Sequence, residues 1–433
     1  MAKKIKEAQR ADSIDQEKKE KKQFGKSSNT AIVEEYLNEK YDFRFNVIKC
    51  KPEMLNIALG EKAFYPVDKY KLNSIKRELD TYNINTSTNA LKELFESNFA
   101  PQVNPVQDYF KKLQKWDNST NHIAELAKTV TVADPEKWIE YLTKWLVAVV
   151  ANAMTNTGCQ NHTCLVLTGE QGKFKTTWLD QLAPKTLTNY IFTGKLDPTN
   201  KDSLTYIAEF LFINIDDQLK QLNKKDENEL KNLITTPAVK YRRPYDPYIC
   251  EYPHLASFMA SVNGNEFLTD PTGSRRFLPF EVLSIEINKA KAINMDLIYS
   301  QAFALWKANF HYWFTDEEIQ ELHKNNSKFQ VITQEEQLIQ EFFSAPKTKE
   351  GASHYYTSAL IQDHLESKTR LRLSPKKIGE ALTKLGFIKW QKTDNNITRW
   401  IYSIIIKSDL EREAGNKNEP MLNALLQTDD KPF

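Results

Sequence analysis

Residues of the types that bind phosphate and magnesium lie together in the stretch CLVLTGEQGKFKTT. Gly169, Lys175 and Thr176 keep the spacing of G-x-x-x-x-G-K-[ST], in which loop N–H groups surround phosphates, the lysine reaches them and the hydroxyl binds Mg²⁺. Phe174 stands where that pattern has its second glycine. An ordinary strand, turn and helix is the alternative interpretation. The predicted ligands are ATP and Mg²⁺, and the predicted nucleotide-binding residues are Gly169, Glu170, Gln171, Gly172, Lys173, Phe174, Lys175, Thr176 and Thr177.

A second apolar stretch, FLFINIDD at 210–217, ends in two adjacent acids. In enzymes that transfer phosphoryl groups, one acid after a strand holds Mg²⁺ and another polar group orients the attacking water. We therefore predict that Asp216 binds the metal together with Thr176 and that Asp217 acts on the water. A core strand that runs into an acidic turn would look similar. The order of the two stretches, about forty residues apart, favours a nucleotide site.

Alternating strands and helices are needed to position these groups. Residues 160–310 show that alternation, with strands at 165–168 and 210–215, a helix at 175–183 and a third strand that ends at Asn263. The pattern predicts an α/β fold with a parallel sheet and helices on its faces. Ligands bind at the carboxyl ends of such strands. The glycine loop, the acid pair and the asparagine all fall at those ends.

Composition describes an ordinary globular chain of 433 residues with a net charge of only +2. Any nucleic-acid binding must therefore come from local basic patches rather than from overall charge. The four cysteines form no C-x-x-C pair, which predicts free thiols in a reducing cytoplasm. The most apolar helical stretch, 138–154, is short and contains Glu140 and Lys144. We therefore predict a cytoplasmic protein with no membrane partner.

The pattern of the whole chain predicts six segments. The first is rich in lysine and poor in apolar residues, which predicts a disordered tail or a frayed helix, with a nucleic-acid-binding arm as the alternative. The predicted segments are a basic tail (1–28), a mainly helical N-terminal region (29–155), a nucleotide-binding domain (156–310), a linker helix (311–333), a C-terminal module (334–406) and a polar tail (407–433).

The C-terminal module reads as a winged helix-turn-helix. Its pattern predicts helices at 334–343, 358–366 and 375–385, followed by a hairpin with strands at 387–392 and 397–405. Basic residues on the third helix and the hairpin fit contacts to a DNA backbone. A protein-binding module is the alternative. The predicted DNA-binding residues of this module are Lys376, Lys377, Lys389, Lys392 and Arg399.

With these elements placed, the chain resembles the virulence-associated E family of P-loop proteins, which is similar to superfamily 3 helicases of the AAA+ class. The resemblance covers roughly residues 100–310, and the C-terminal module resembles a domain found on Bacteroides-type members. The chain departs from the family pattern at Phe174. The stretches that carry the resemblance are GEQGKFKTT at 169–177, FLFINIDDQ at 210–218, KYRRPYDPY at 240–248 and SVNGNEFLTDPTGSRRFLPFEV at 261–282.

The resemblance implies a P-loop NTPase core and assigns roles to single residues. Lys175 would contact the β- and γ-phosphates. Thr176 and Asp216 would hold Mg²⁺. Asp217 would orient the attacking water, and Asn263 would sense the γ-phosphate.

The arginine pair Arg275 and Arg276 follows a Gly-Ser turn. The resemblance implies that one of them is an arginine finger for a neighbouring subunit's nucleotide. Such a finger stabilises charge on the transferring phosphoryl group and is worth about 10³–10⁵ in rate. A homo-oligomeric ring, with a hexamer as one form, would follow. An internal ion pair between Arg276 and Asp270 is the alternative.

A basic and aromatic cluster lies between the second and third strands. Lys240, Arg242 and Arg243 could contact phosphates of single-stranded DNA, while Tyr241 or Tyr245 could stack on bases. The alternative is a solvated, charged turn shaped by its two prolines.

These features favour an ATP-hydrolysing, DNA-acting motor: a superfamily 3-like replicative helicase of a mobile genetic element. The alternative is a DNA-binding initiator or regulator that uses the nucleotide as a switch and hydrolyses it slowly or not at all. A third class, a structural protein with a decayed site, is disfavoured because the lysine, hydroxyl, acid, asparagine and arginine positions are all intact.

Overall fold

The computed structural model describes residues 28–243, 247–269, 274–394 and 397–408. The basic tail up to residue 27, Tyr245, Asp270 and the polar tail from residue 409 lie outside the described residues. Predictions that rest on them are therefore not addressed by the structure. The chain divides into two compact units at Phe329 and Gln330, and each is described separately.

The first part of unit one contains a small sheet as well as helices. Its described strands pair in the order β3-β2-β1-β4, with Phe43 of β1 stacked on Phe95 at 4.4 Å. The sequence predicts a mainly helical region here, so the sheet is a correction to that prediction. Strands β3 and β4 are only two residues long, which is too short for a period to show in the sequence. The elements are α1 (Asn29–Lys40), β1 (Tyr41–Asn46), β2 (Lys51–Asn56), β3 (Tyr65–Pro66), α2 (Lys69–Thr81), α3 (Thr88–Phe95) and β4 (Gln102–Val103).

A long buried helix connects this region to the main sheet. Asp134 accepts a hydrogen bond from the Lys137 N–H at its start, and Pro135 occupies the first turn, where its missing N–H costs nothing. Trp138 and Trp145 are each 1% exposed. No helix among the described residues is long and apolar enough to cross a membrane. The elements are α4 (Pro105–Lys112), α5 (His122–Ala127), β5 (Val130–Val132) and α6 (Pro135–Met154).

The main sheet confirms the predicted α/β architecture. Its strands lie in the order β5-β12-β6-β11-β8-β7, and all neighbours are parallel except β5, which pairs antiparallel with β12. Every residue of β6 and β11 is buried, as expected for strands covered on both faces. The elements are β6 (Cys164–Thr168), α7 (Lys175–Asp180), β7 (Ile191–Gly194), α8 (Asp202–Glu209), β8 (Phe212–Asp216), α9 (Lys224–Thr235), β9 (Ala238–Tyr241), β10 (Cys250–Pro253), β11 (Ser257–Ser261) and β12 (Phe277–Ile285).

Three helices complete unit one after the sheet. The first turn of the last one is closed by a capping box, in which Thr315 and Glu318 each bond the other's backbone N–H. These helices are α10 (Ile287–Ala292), α11 (Met295–Lys307), which packs against α6, and α12 (Asp316–Asn326).

In unit two a helix and two short strands are followed by two helices and a hairpin. Strand β16 pairs with β13, β14 and β15. Buried residues such as Ile339, Ile378 and Ile404 form its core. The elements are α13 (Gln334–Phe342), β13 (Phe343–Ser344), β14 (His354–Tyr356), α14 (Ser358–Thr369), α15 (Pro375–Lys384), β15 (Lys389–Asp394) and β16 (Ile397–Ile406).

Candidate active site

The loop between β6 and α7 contains two residues in left-handed backbone conformations that matter for the site. Gly169 has φ +126°, and a Cβ there would lie 2.9 Å from the carbonyl oxygen of Val282, so only glycine fits. Phe174 has φ +59°, and its side chain is 54% exposed. This conformation explains why the usual pattern has glycine there. Phe174 adopts it at a cost of about 1–2 kcal/mol.

The Lys175 ammonium group lies inside the loop. It donates hydrogen bonds to the carbonyl oxygens of Gly169 (3.0 Å) and Glu170 (2.6 Å) and to Oδ1 of Asn263 (3.2 Å). Burial lowers the pKa of Lys175, while the carboxylates of Asp217 and Asp216 raise it in part. A buried cation therefore stands between the loop and the ends of β8 and β11.

Oxygen atoms from three elements meet beside this lysine. The hydroxyls of Thr176 and Ser261 each donate to Oδ1 of Asp216 at 2.7 Å, and the two hydroxyl oxygens are 3.0 Å apart. Ser261 was not predicted as a site residue. The described residues include no group of three or more His, Cys, Asp or Glu that could hold a metal. A hydroxyl, one carboxylate and substrate phosphates are the ligands that Mg²⁺ commonly uses.

Asp217 is bound from one side by Asn263. The backbone N–H of Asn263 donates to Oδ1 of Asp217 (3.1 Å), and its side-chain amide donates to Oδ2 (2.9 Å). Asp217 also has a positive φ of 46°. Because Asn263 also accepts a hydrogen bond from Lys175, it connects the lysine to the second acid.

These side chains surround one cleft of about 400 Å³ at the carboxyl ends of β6, β8 and β11. The structure therefore brings together the predicted lysine, threonine, both acids and the asparagine. The side chain of Glu170 is 84% exposed and lies 3.4 Å from the Lys173 ammonium. The cleft is lined by Gln171, Gly172, Lys173, Phe174, Lys175, Thr176, Thr177, Asp216, Asp217, Ser261 and Asn263.

The arginine pair is not in this cleft. Arg275 and Arg276 directly precede β12, whose first residue, Phe277, pairs with Cys164 at the start of β6. They therefore lie at the amino ends of the parallel strands, whereas the loop between β6 and α7 lies at the carboxyl ends. The two ends of β6 are about 13 Å apart at the usual rise per residue. Arg275 is exposed and Arg276 is half-buried.

The basic cluster on the β9–β10 hairpin separates into exposed and internal residues. Lys240 is 70% exposed and pairs with Glu251 at 2.9 Å, and Arg242 is exposed. Arg243 is only 11% exposed, because it pairs with Glu209 at 2.9 Å and donates to the carbonyl oxygens of residues 48 and 49. Tyr248, which we had not predicted as a site residue, is 75% exposed.

The predicted basic residues of unit two are all exposed. Lys392 and Arg399 are directly opposite each other in the β15–β16 hairpin. The Lys389 ammonium lies 4.9 Å from the ring centre of Trp400, which is itself 53% exposed and was not predicted as a site residue. The exposed residues are Lys376, Lys377, Lys389, Lys392 and Arg399.

Comparison with known proteins adds a family and a set of similar structures. Residues 110–331, just over half of the chain, match the virulence-associated protein E-like domain. The apo structure of the NrS-1 C-terminal region, residues 305–718, has a TM-score of 0.49 and 10% identity, covering 88% of this chain and 100% of that chain. An A-form apo structure of the NrS-1 C-terminal region, residues 305–718, has a TM-score of 0.48 and 12% identity, covering 88% of this chain and 100% of that chain. No protein of curated function matches the sequence significantly.

Proposed function

The chain belongs to the virulence-associated protein E-like family, and from this premise we propose that it is an ATP-hydrolysing, DNA-acting motor, a superfamily 3-like replicative helicase of a mobile genetic element. The observation that carries the proposal is the cleft at the end of β6, where a buried lysine, a hydroxyl and two acids meet. These are the groups that phosphoryl transfer requires, since its catalysis consists of positioning and charge stabilisation.

In this proposal the loop from Gly169 to Thr176 is a P-loop. Its lysine would exchange its bonds to the Gly169 and Glu170 carbonyl oxygens for phosphate oxygens of ATP. The left-handed backbone at Phe174 supports the assignment, because the loop keeps the conformation for which glycine is normally used.

A magnesium ion fits the oxygen atoms beside the lysine. Thr176 and Asp216 would hold it, and the Ser261 hydroxyl would keep the Asp216 carboxylate in position. When bound, the ion would neutralise charge on the phosphates. Asp217, held by Asn263, would accept a hydrogen bond from the attacking water and orient it.

In this proposal the arginine finger comes from a second copy of the chain. Arg275 and Arg276 lie at the opposite edge of the same sheet, so neither serves the nucleotide of its own subunit. Arg275 is the better candidate for a finger because it is exposed. The proposal therefore includes a homo-oligomer, with a ring as the expected form.

DNA would be contacted by the exposed basic groups. On the β9–β10 hairpin these are Lys240 and Arg242, with Tyr248 available for stacking on a base. Arg243 is excluded from this surface because its guanidinium is bound internally. We propose that unit two is a winged helix, whose third helix and hairpin contact phosphates through Lys376, Lys377, Lys389, Lys392 and Arg399.

One observation favours the second candidate, a nucleotide-switched DNA-binding initiator or regulator with slow hydrolysis. Both carboxylate oxygens of Asp217 already accept hydrogen bonds from Asn263. An acid engaged in this way is a weaker partner for water. Slow turnover would follow if these bonds persist when ATP is bound.

The test is ATP hydrolysis by wild type, Lys175→Ala and the exposed-surface control Lys111→Ala, each with and without single-stranded DNA. We expect DNA to stimulate wild type and Lys111→Ala equally, and Lys175→Ala to lose at least about 100-fold of the rate. Light scattering with and without ATP would measure assembly. ATP binding without turnover would replace the motor with the switch. Measurable hydrolysis that is equal in Lys175→Ala and wild type would refute the assignment of this cleft as the site of hydrolysis.

A further inference from the structure

A second cavity lies at the amino ends of the parallel strands of the main sheet, whereas the nucleotide cleft lies at their carboxyl ends. It has a volume of about 270 Å³. The residues just before β6 and just before β12 form part of its wall, whereas the nucleotide cleft lies beyond the other ends of the parallel strands. The residues that line it are Ala148, Gln160, Asn161, His162, Thr163, Thr235, Arg275, Arg276, Tyr312, Trp313, Phe314 and Ile319.

Three consecutive aromatic residues form one side of this cavity. The Tyr312 hydroxyl donates to Oε1 of Gln160 at 3.0 Å, and the Lys144 ammonium lies 5.0 Å from the ring centre of Phe314. The outer two rings are therefore fixed by contacts within the fold. Trp313, between them, is 57% exposed and meets His311 edge-on at 4.2 Å between ring centres. A large aromatic surface is thus available at the mouth of the cavity.

The polar groups of the lining include two arginines. Arg275, Arg276 and His162 contribute to it, and none of the described lining residues is acidic. Asn161 is 1% exposed, and its Oδ1 accepts hydrogen bonds from the Thr163 N–H and hydroxyl, which identifies the other amide atom as the nitrogen. That nitrogen, Nδ2, has no hydrogen-bond acceptor among the described residues. Because this nitrogen is itself buried, a ligand in the cavity would be bound through the exposed Arg275 rather than through this amide.

The chemistry and size of the cavity select a class of ligand. Aromatic side chains stack on nucleobases, and arginine binds phosphate through paired N–H groups. A volume of about 270 Å³ lies just below the range of about 300–1,000 Å³ for pockets that hold drug-sized molecules. It suits one base with one phosphate better than a nucleoside triphosphate.

We propose that this cavity binds a single nucleotide unit, with the base against Trp313 and the phosphate at Arg275, in a subunit whose Arg275 is not engaged with a neighbouring subunit's nucleotide. The unit could be a free nucleoside monophosphate or one nucleotide of a single strand, since both carry the same recognised groups. The proposal goes beyond the ATPase function and does not require hydrolysis. Its main test uses Trp313, which has no part in the proposed hydrolysis.

The experiment measures binding of AMP and of a labelled oligo(dT) to the full chain carrying Lys175→Ala, which weakens phosphate binding in the other cleft. Trp313→Ala is compared with Tyr70→Ala, a control whose ring is 81% exposed in the first part of unit one. We expect Trp313→Ala to weaken binding about 5- to 150-fold, the effect of losing one base–aromatic stack, and Tyr70→Ala to change nothing. Arg275→Gln should reduce the affinity for AMP to that for adenosine.

The two probes distinguish the sources of the ligand. A loss confined to AMP assigns the cavity to a free nucleotide, and a loss confined to oligo(dT) assigns it to a strand. Unchanged affinity for both probes in Trp313→Ala would overturn the proposal. A change in oligomeric state without a change in either affinity would also overturn it, because the cavity would then be a protein interface. If wild type did not hydrolyse ATP, the proposed motor function would be refuted, but the proposal for this cavity would not be affected.

Discussion

In the cleft at the carboxyl ends of β6, β8 and β11 the polar side chains are bonded to one another, whereas on the hairpin of unit two the cations are exposed to solvent. Asp216 accepts hydrogen bonds from Thr176 and Ser261, and Asn263 connects Lys175 to Asp217. Lys392 and Arg399, by contrast, are exposed and directly opposite each other. Buried polar groups are almost always hydrogen-bonded, so the side chains of a site at buried strand ends form hydrogen bonds with one another. A cation on the surface is hydrated and needs no partner within the protein. Its role must therefore be tested by measuring DNA binding.

The largest effect should come from breaking the bonds around Asp216. Asp216→Asn removes the charge that would hold Mg²⁺, and we expect hydrolysis to fall by about 10²–10³-fold. Ser261→Ala removes only a group that orients the carboxylate, so it should raise the Mg²⁺ concentration for half-maximal activity by about 10–100-fold. The check is hydrolysis as a function of Mg²⁺ concentration. Ser261→Thr, which keeps the hydroxyl, is the matched control and should behave like wild type.

A Ser261→Ala enzyme with an unchanged Mg²⁺ dependence would contradict this account. Ser261 would then be a packing residue, and the cleft would position Asp216 through the Thr176 hydroxyl alone.

Arg242 and Arg243, the two residues that follow β9, differ in exposure: the first is exposed and the second is bonded internally. Arg243 pairs with Glu209, and both side chains are largely buried at 11% and 19% exposure. Breaking such a pair costs about 3–5 kcal/mol, so Arg243→Gln should lower the free energy of unfolding by an amount in that range. Arg242→Gln should change it by less than about 0.5 kcal/mol and weaken binding of single-stranded DNA. Urea unfolding and fluorescence anisotropy measure the two effects.

Equal stability losses in the two variants would mean that the Glu209 pair contributes little. Unchanged DNA affinity in Arg242→Gln would remove this hairpin from the proposed strand surface.

That the residues of the cleft lie close together could be predicted from the sequence, because they follow strands in a fixed order with a known spacing. The sequence could not identify Ser261, because the buried stretch SFMAS contains two serines and nothing in the sequence distinguishes Ser261 from Ser257. It could not separate Arg242 from Arg243 either, because burial of the second depends on carbonyl groups 194 and 195 residues away. The α/β alternation was readable over 160–310, whereas the two-residue strands β3 and β4 are too short to show a period.

A smaller effect is expected at Phe174, the one exposed aromatic in the cleft. Its left-handed conformation costs about 1–2 kcal/mol, and glycine would relieve it while losing about 0.5–1 kcal/mol through the unfolded chain. Phe174→Gly should therefore raise the free energy of unfolding by no more than about 1.5 kcal/mol, and Phe174→Val should lower it. Thermal unfolding measures both. A clear loss of stability in Phe174→Gly would mean that the ring makes contacts that outweigh the strain.

The smallest effect is expected on the hairpin of unit two, where one substitution should change stability and DNA binding in opposite directions. Like charges directly opposite on neighbouring strands are destabilising, and favourable cross-strand pairs contribute about 0.2–1 kcal/mol. Lys392→Glu places an acid opposite Arg399, so it should raise the unfolding free energy by an amount in that range. If the hairpin contacts phosphate, the same change should weaken DNA binding and reduce the slope of log K against log salt by about 1. Lys368→Glu, at an exposed position on α14, controls for the altered net charge. A more stable variant with unchanged DNA affinity would assign the hairpin to protein contacts, because a phosphate surface cannot accept an acid without losing affinity.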